Sequence, residues 1–144
     1  MQSPLVVLDT NVLVGAGFNP RSASARILDA VRQEKVRMMW NDETRREILR
    51  IMHQIPPLRS LDVTPFFLES NRVTSATHPD RFAVVADPDD RKFAALAHEA
   101  GAALISSDEH LLSCRDAIGV LVLTPGAYWK QLQLAQQSGD TATM

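Results

Sequence analysis

The sequence contains a single cysteine, Cys114, and no hydrophobic run near the ~20 residues that a membrane-spanning helix needs. One cysteine forms neither an internal disulfide nor a thiolate zinc site, so a reducing, cytoplasmic setting is expected. The N-terminus also lacks the basic and long apolar regions of a signal peptide. The 144 residues, 45% of them hydrophobic, therefore predict a single globular domain with no membrane partner.

A strongly positive charge is also missing. The net charge of −2 argues against a protein that binds any polyanion indiscriminately. It does not exclude a nucleic-acid enzyme, because carboxylates that bind a divalent cation no longer repel a phosphate backbone. The four histidines lack the paired spacing of a zinc site, and the sequence has no phosphate-binding loop or nucleophile elbow.

Strand-like and helix-like segments alternate along the chain, which predicts an α/β fold with a mainly parallel sheet. Helices are expected after Ser22 or Ser24, after Asn41 or Asp42, and from Pro65, Asp87, Asp108 and Thr124. The domain should span residues 1–134, with a final helix to about Leu134 and a polar, disordered tail over 135–144. The predicted strands are residues 5–9, 36–40, 82–86, 102–106 and 120–123.

Four carboxylates stand where such a fold would gather ligands for a hard cation. Asp9 and Asp108 follow two apolar strand segments, and Glu47 and Asp90 lie on predicted helices in line with apolar neighbours. A semi-buried carboxylate is costly without a partner, which favours a functional role for Asp9. The four acids therefore predict a metal-dependent hydrolase.

A plainer interpretation exists for each acid. Asp9 and Asp108 could cap turns or helices, and Asp90 belongs to an Asp-Pro-Asp-Asp segment typical of a helix N-terminus. Asp87 is expected to act mainly as that cap, with a supporting metal role left open. Glu47 could be a surface charge paired with an arginine, and Glu43 is its rival for the site.

The segments that hold these acids resemble the PIN-domain ribonucleases, specifically the bacterial toxin-like PIN proteins similar to VapC-type toxins. The resemblance extends from Leu5 to about Leu132. Ser106-Ser107 stands where Thr-Gly is common before the last aspartate. The matching segments are residues 7–14, 44–49, 87–97, 102–112 and 120–125.

The resemblance implies a three-layer α/β/α sandwich around a parallel sheet. It implies that Asp9, Glu47, Asp90 and Asp108 hold one or two Mg²⁺ or Mn²⁺ ions and catalyse hydrolysis of RNA phosphodiester bonds. It also implies an antitoxin partner, a homodimer and a role as the toxin of a toxin–antitoxin pair. Supporting residues would be Asp87, Thr10, Asn11 and Ser107. Contacts to RNA would come from Arg45, Arg46, Arg50, Arg91 and Lys92.

Two other classes remain open from the residues. A Mg²⁺-dependent phosphotransfer or receiver domain also uses acids at strand ends, but Asn11 stands where a phosphatase of this kind would want a second aspartate. A non-catalytic PIN-like binding or scaffold domain would retain the acids as helix caps. Metal titration separates this last class from the nuclease.

Overall fold

The computed structural model describes residues 3–142, with side-chain surroundings described as far as residue 136. One parallel sheet forms the centre of the domain. Its strands are β1 Leu5–Leu8, β2 Arg37–Met38, β3 Ala103–Ile105 and β4 Val122–Leu123. They lie in the order β2-β1-β3-β4. Helices flank this sheet, so the predicted α/β class is confirmed.

The helices begin and end as follows: α1 Thr10–Phe18, α2 Ala23–Arg32, α3 Asp42–Gln54, α4 Arg91–Ala100, α5 Glu109–Ser113, α6 Arg115–Ile118 and α7 Pro125–Ala142. Local chemistry sets several of these ends. The Ser22 hydroxyl caps α2, and Asn41 and Thr44 form a reciprocal capping box at the start of α3. Gly101, at φ 65°, ends α4 in the left-handed conformation that glycine adopts readily.

The order of the strands places the site. From β1 the chain passes to β2 on one side of the sheet, and it later returns to β3 on the other side of β1. Val7 pairs with Leu104 and Leu8 with Ile105, so the two central strands end together. In open parallel sheets, ligands bind at the carboxyl ends of strands where the order changes in this way. The crevice between the ends of β1 and β3 is that position.

Helix α1 was not expected from the sequence. It begins at Thr10, directly after Asp9, where only a turn had been considered. Its residues are apolar or small on every side, so no polar face marks a helical period. The predicted helix boundary at Ser22 belongs to α2, the second helix of this crossover.

The strand predicted over 82–86 is wrong. Pro79–Phe82 forms a single 3-10 turn, and the chain then continues in turns and bends to Asp87. Phe82 and Val85 are buried whereas Val84 is 57% exposed, so the apolar residues face inward from a turn rather than alternating along a strand. The helix expected from Pro65 is likewise only the 3-10 turn Thr64–Phe66.

The last helix is longer than expected. Helix α7 continues to Ala142, beyond the end predicted near Leu134. The predicted end of the helix near Leu134 is therefore corrected to Ala142. Residues 143–144 of the predicted tail lie outside the described residues. The disorder of residues 135–144 stays a prediction. In the described part of the chain, no helix is both long and apolar enough to span a bilayer.

Candidate active site

Asp9 links the central sheet to the first helix. Its backbone N–H donates to the Ile105 carbonyl at 3.2 Å, which extends the ladder between β1 and β3 by one residue. Its carboxylate accepts the N–H of Val12 at 3.2 Å and so caps α1. The residue is only 4% exposed. Burial raises the pKa of Asp9 above its ordinary value, although hydrogen bonds from Ser106 and Val12 oppose that effect.

Asp108 lies across the strand end from Asp9. Its carboxylate accepts the N–H of His110 at 2.8 Å and caps α5. The Ser106 hydroxyl oxygen accepts the N–H of Asp108 at 3.0 Å, and the same hydroxyl donates to the Asp9 carboxylate. Ser106 is fully buried, and its hydroxyl links the two acids through these two contacts. The negative charge of Asp108 raises the pKa of Asp9 further.

Asp90 approaches the same position from the other side. It ends the 3-10 turn Pro88–Asp90 and directly precedes α4, but its side chain caps no backbone N–H there. That task falls to Asp87, which accepts the N–H of Asp89 at 2.9 Å. Burial raises the pKa of Asp90 to about 7, and its contact with Asp108 and the charges of Asp87 and Asp9 add to that rise. Helix capping therefore does not explain Asp90.

Glu47 faces this group from α3 but has different neighbours. Arg50 Nη2 lies 3.0 Å from Oε1 and 2.8 Å from Oε2, and Lys92 Nζ lies 3.5 Å from Oε2. Burial alone would raise the pKa of Glu47, but the hydrogen bonds and charges of Arg50 and Lys92 outweigh it and lower the pKa. The rival acid Glu43 is exposed and lies in a neighbouring pocket with Arg46.

An open cleft of about 200 Å³ brings most of these groups together. Its lining joins the end of β1, the middle of α3 and the start of α4. Asp108 is not part of the lining, but it lies close enough to Asp9 and Asp90 to raise the pKa of both. The lining residues are Asp9, Thr10, Asn11, Glu47, Arg50, Ile51, Asp87, Asp89, Asp90 and Phe93.

A family model described as PIN domain matches residues 5–110, well over half of the chain. The chain belongs to the PIN-domain family. The resemblance inferred from the motifs is therefore confirmed. PIN domains are generally nucleases and typically bind divalent metals.

Two similar proteins support this placement. Uncharacterized protein MJ1680 of Methanocaldococcus jannaschii is 32% identical over 117 residues, which make up 77% of this chain and 75% of that protein. The solved structure of FitAB bound to an IR36 DNA fragment contains a chain with a TM-score of 0.54 and 16% identity. That match covers 86% of this chain and 95% of the other, and at this identity it shows the fold alone.

The aspartates of this PIN domain suit a divalent cation in donor type and charge. Carboxylate oxygens are the ligands that Mg²⁺ and Mn²⁺ prefer, and the crowded charges of Asp9, Asp90 and Asp108 would be relieved by a cation. The buried hydroxyl of Thr10, beside Asp9, also has no hydrogen-bond partner among the residues described. Within residues 3–142, however, no three His, Cys, Asp or Glu side chains are already arranged to hold an ion. Binding would therefore draw the carboxylates together.

The supporting residues fall into two groups. Thr10, Asn11 and Asp87 line the cleft, and their supporting role stays a prediction. Ser107 is exposed and the buried neighbour Ser106 makes the contacts to both aspartates. This role of Ser106 was not predicted from the sequence. A signal existed, because Ser106 directly extends the apolar strand and a buried hydroxyl in that position needs partners.

The five basic residues predicted to contact RNA have different surroundings. Arg50 lines the cleft, and Lys92 contacts Glu47 from its other side. Arg91 donates to the carbonyls of Val85 and Ala83 and braces the turn before α4. Arg45 lies 5.7 Å from the ring centres of both Trp40 and Phe67, and Arg46 is exposed on α3.

Proposed function

We propose that this PIN domain is a divalent-metal-dependent endoribonuclease. The observation that carries the proposal is the convergence of Asp9, Asp90 and Asp108 at the carboxyl ends of β1 and β3. No lysine or arginine forms a salt bridge with any of the three in the part of the chain that the structure describes. Membership of a family whose members are generally nucleases supports the same conclusion.

Asp9, Asp90 and Asp108 would hold the ion, and Mg²⁺ and Mn²⁺ match their oxygen ligands. Held by these residues, a bound ion would provide a water of lowered pKa and positive charge to stabilise the phosphodiester. Asp9 is fixed by the strand ladder and its helix cap, so it provides a rigid ligand. Asp90 is half-buried and free of any capping bond, so it can adjust. Ser106 orients Asp9 and the backbone of Asp108 relative to each other.

The first test is cleavage of mixed labelled RNAs, and of DNAs of matching sequence, with and without Mn²⁺. We expect the wild-type protein to cleave RNA only with the metal, and Asp108→Asn to lose this activity. Glu109→Gln is the matched control, because Glu109 is the exposed neighbour of Asp108 on α5. Equal cleavage by Asp108→Asn, or cleavage that persists in chelator, would contradict the proposal. Preferential cleavage of DNA would correct the substrate.

A non-catalytic PIN-like scaffold is the second candidate, and one observation favours it. Asp9, Asp87 and Asp108 all cap helix or turn N-termini, which is a sufficient structural reason for two of the three proposed ligands and for Asp87. Thermal unfolding in Mn²⁺ separates the two. At a metal concentration about 100 times its Kd, a site in the folded state adds about 2.7 kcal/mol of stability. No stabilisation of the wild-type protein would favour the scaffold.

The wider biological role is also part of the proposal. We propose a cytoplasmic toxin that forms a homodimer and is neutralised by an antitoxin protein. The support is the motif resemblance to toxin-like PIN proteins. Induction in a bacterial host should arrest growth, and Asp108→Asn should relieve the arrest. Light scattering of the purified chain tests the homodimer directly.

A further inference from the structure

Glu47 is already neutralised by the protein itself. Arg50 donates to both of its carboxylate oxygens, and Lys92 lies within 3.5 Å of one of them. Only 11% of the Glu47 side chain is exposed, against 50% for Arg50. A carboxylate paired with two cations is already neutralised, so a metal ion gains less electrostatic energy there than at an unpaired carboxylate.

Among the described residues, no lysine or arginine forms a salt bridge with Asp9, Asp90 or Asp108 across the cleft. Asp9 accepts hydrogen bonds from the Val12 amide and Ser106, and Asp108 accepts one from the His110 amide. These donors are uncharged, so the negative charge of the group is not balanced. A divalent ion at the aspartates therefore offsets charge, whereas one at Glu47 would meet repulsion from Arg50 and Lys92.

Arg50 is also in position to serve a substrate. It lines the same cleft as Asp9 and Asp90, and half of its side chain is open to solvent. Arg50 contacts the carboxylate through Nη2 alone, and among the described residues its other two nitrogens make no hydrogen bond, so its planar guanidinium can still bind a phosphate. Lys92, Arg50 and Glu47 line the pocket beside the cleft together with Glu43 and Arg46, so three cations outnumber two carboxylates next to the aspartates.

We infer that Glu47 is a positioning residue that holds Arg50 and Lys92 against the RNA phosphate, while Asp9, Asp90 and Asp108 together bind one divalent ion. This inference rests on the proposed nuclease function. With one ion, the three aspartates, Glu47, Arg50, Lys92 and the metal balance in charge.

Calorimetric titration of Mn²⁺ tests the assignment of Glu47. We expect one ion for the wild-type protein and the same stoichiometry for Glu47→Gln, with an affinity within about threefold. Asp108→Asn should weaken binding by about tenfold or more, the scale on which even residues that only support metal ligands act. Loss of Mn²⁺ binding in Glu47→Gln comparable to that in Asp108→Asn, or a second ion that Glu47→Gln removes, would overturn the inference.

RNA binding tests the role of the two cations. Labelled single-stranded RNA is titrated at several salt concentrations against proteins that all carry Asp9→Asn, so that the strand stays intact. Arg50→Gln and Lys92→Gln should each reduce the slope of log affinity against log salt by about 0.7, the contribution of one phosphate contact to a single strand. Arg26→Gln, on the exposed face of α2, is the control and should leave the slope unchanged. Unchanged slopes for both cleft variants would overturn the inference even if Glu47→Gln did not fold.

These outcomes separate the inference from the function beneath it. A wild-type protein that binds one Mn²⁺ and RNA through Arg50 and Lys92 but cleaves nothing would refute the nuclease and keep the assignment of Glu47. A wild-type protein that cleaves RNA while Glu47→Gln loses Mn²⁺ would keep the nuclease and refute the assignment. A wild-type protein that binds no Mn²⁺ would refute both.

Discussion

Asp90 and Glu47 line the same cleft, but their pKa values are shifted in opposite directions. Burial and neighbouring acids raise the pKa of Asp90 to about 7. Glu47 is also penalised by burial, but Arg50 and Lys92 outweigh the penalty and lower its pKa. The two carboxylates are chemically alike, so their neighbours alone create the difference. The side with Asp90 needs an external cation, and the side with Glu47 carries its own.

This difference in neighbours also explains why the four acids at the site need not all bind the metal ion. Helix α3 places Arg50 one turn after Glu47, where an i, i+3 ion pair forms within the helix. Asp9 and Asp108 leave the ends of parallel strands, where no such neighbour is available on the same element. Substitutions can therefore disrupt the aspartates without disrupting the ion pairs of Glu47, and the reverse.

The largest expected effect is that of Asp9→Asn. Cleavage of RNA should fall by about 10²–10³-fold, since the substitution removes charge where the transition state is stabilised. The fold should persist, because an asparagine oxygen can still accept the Val12 N–H, and the melting temperature should not decrease. Parallel measurements of cleavage rate and thermal unfolding check this, with the exposed Asp29→Asn as control. A folded Asp9→Asn protein with wild-type cleavage would refute the active site.

The pH dependence of stability should be large for Asp90. Its pKa is about 7 in the folded chain and 3.8 ordinarily, so the folded state binds the proton more tightly than the unfolded state. The stabilisation that results is fully present below pH 3.8 and is lost as the pH rises through about 7. Urea unfolding in chelator should show a decline in this window that Asp90→Asn reduces. Identical pH profiles for the two proteins would contradict the proposed crowding of acids.

A smaller effect is expected from Ser106→Ala. The substitution removes a buried hydroxyl that donates to Asp9 and accepts from the Asp108 amide. The free energy of unfolding should fall by about 1–3 kcal/mol, because buried polar groups lose a partner. Ser107→Ala is the control, since Ser107 is exposed. Equal losses from the two variants would show that Ser106 has no special role in organising the aspartates.

The smallest effect is expected from Glu43→Gln, which tests which acid of α3 belongs to the site. Glu43 is exposed and does not line the cleft, so cleavage should stay close to that of the wild type. Glu47→Gln should lower the turnover number because it releases Arg50 and Lys92. Steady-state kinetics on one RNA compares the two. A greater loss from Glu43→Gln would reverse the assignment.

The sheet was largely predictable because its strands are apolar on both faces. Residues 5–9 and 102–106 were expected as strands, and β1 and β3 lie within them. Local signals also narrowed the cap of α2 to Ser22 or Ser24 and that of α3 to Asn41 or Asp42, and they predicted the end of α4 at Gly101. The strand over 82–86 failed, because a short apolar run is also satisfied by a turn that buries Phe82 and Val85.

The acidic residues of the site could be predicted from the sequence, but their contacts and pKa shifts could not. The sequence singled out Asp9, Glu47, Asp90 and Asp108, and the structure brings them to one position at the edge of the sheet. It could not show that Ser106 rather than Ser107 contacts the aspartates. That choice depends on which side chain turns inward after β3, and strand pairing decides it.

The sequence by itself determined the strand-ending aspartates, the helix caps and the family, because these depend on residues close together in the chain. Only the tertiary structure decided which neighbours surround each acid and in which direction they shift its pKa. Lys92 meets Glu47 from a position 45 residues away, and Asp108 meets Asp90 and Asp9 across a strand end. Electrostatic interactions depend on distance in space and on exclusion of water, and neither is written in the order of the residues.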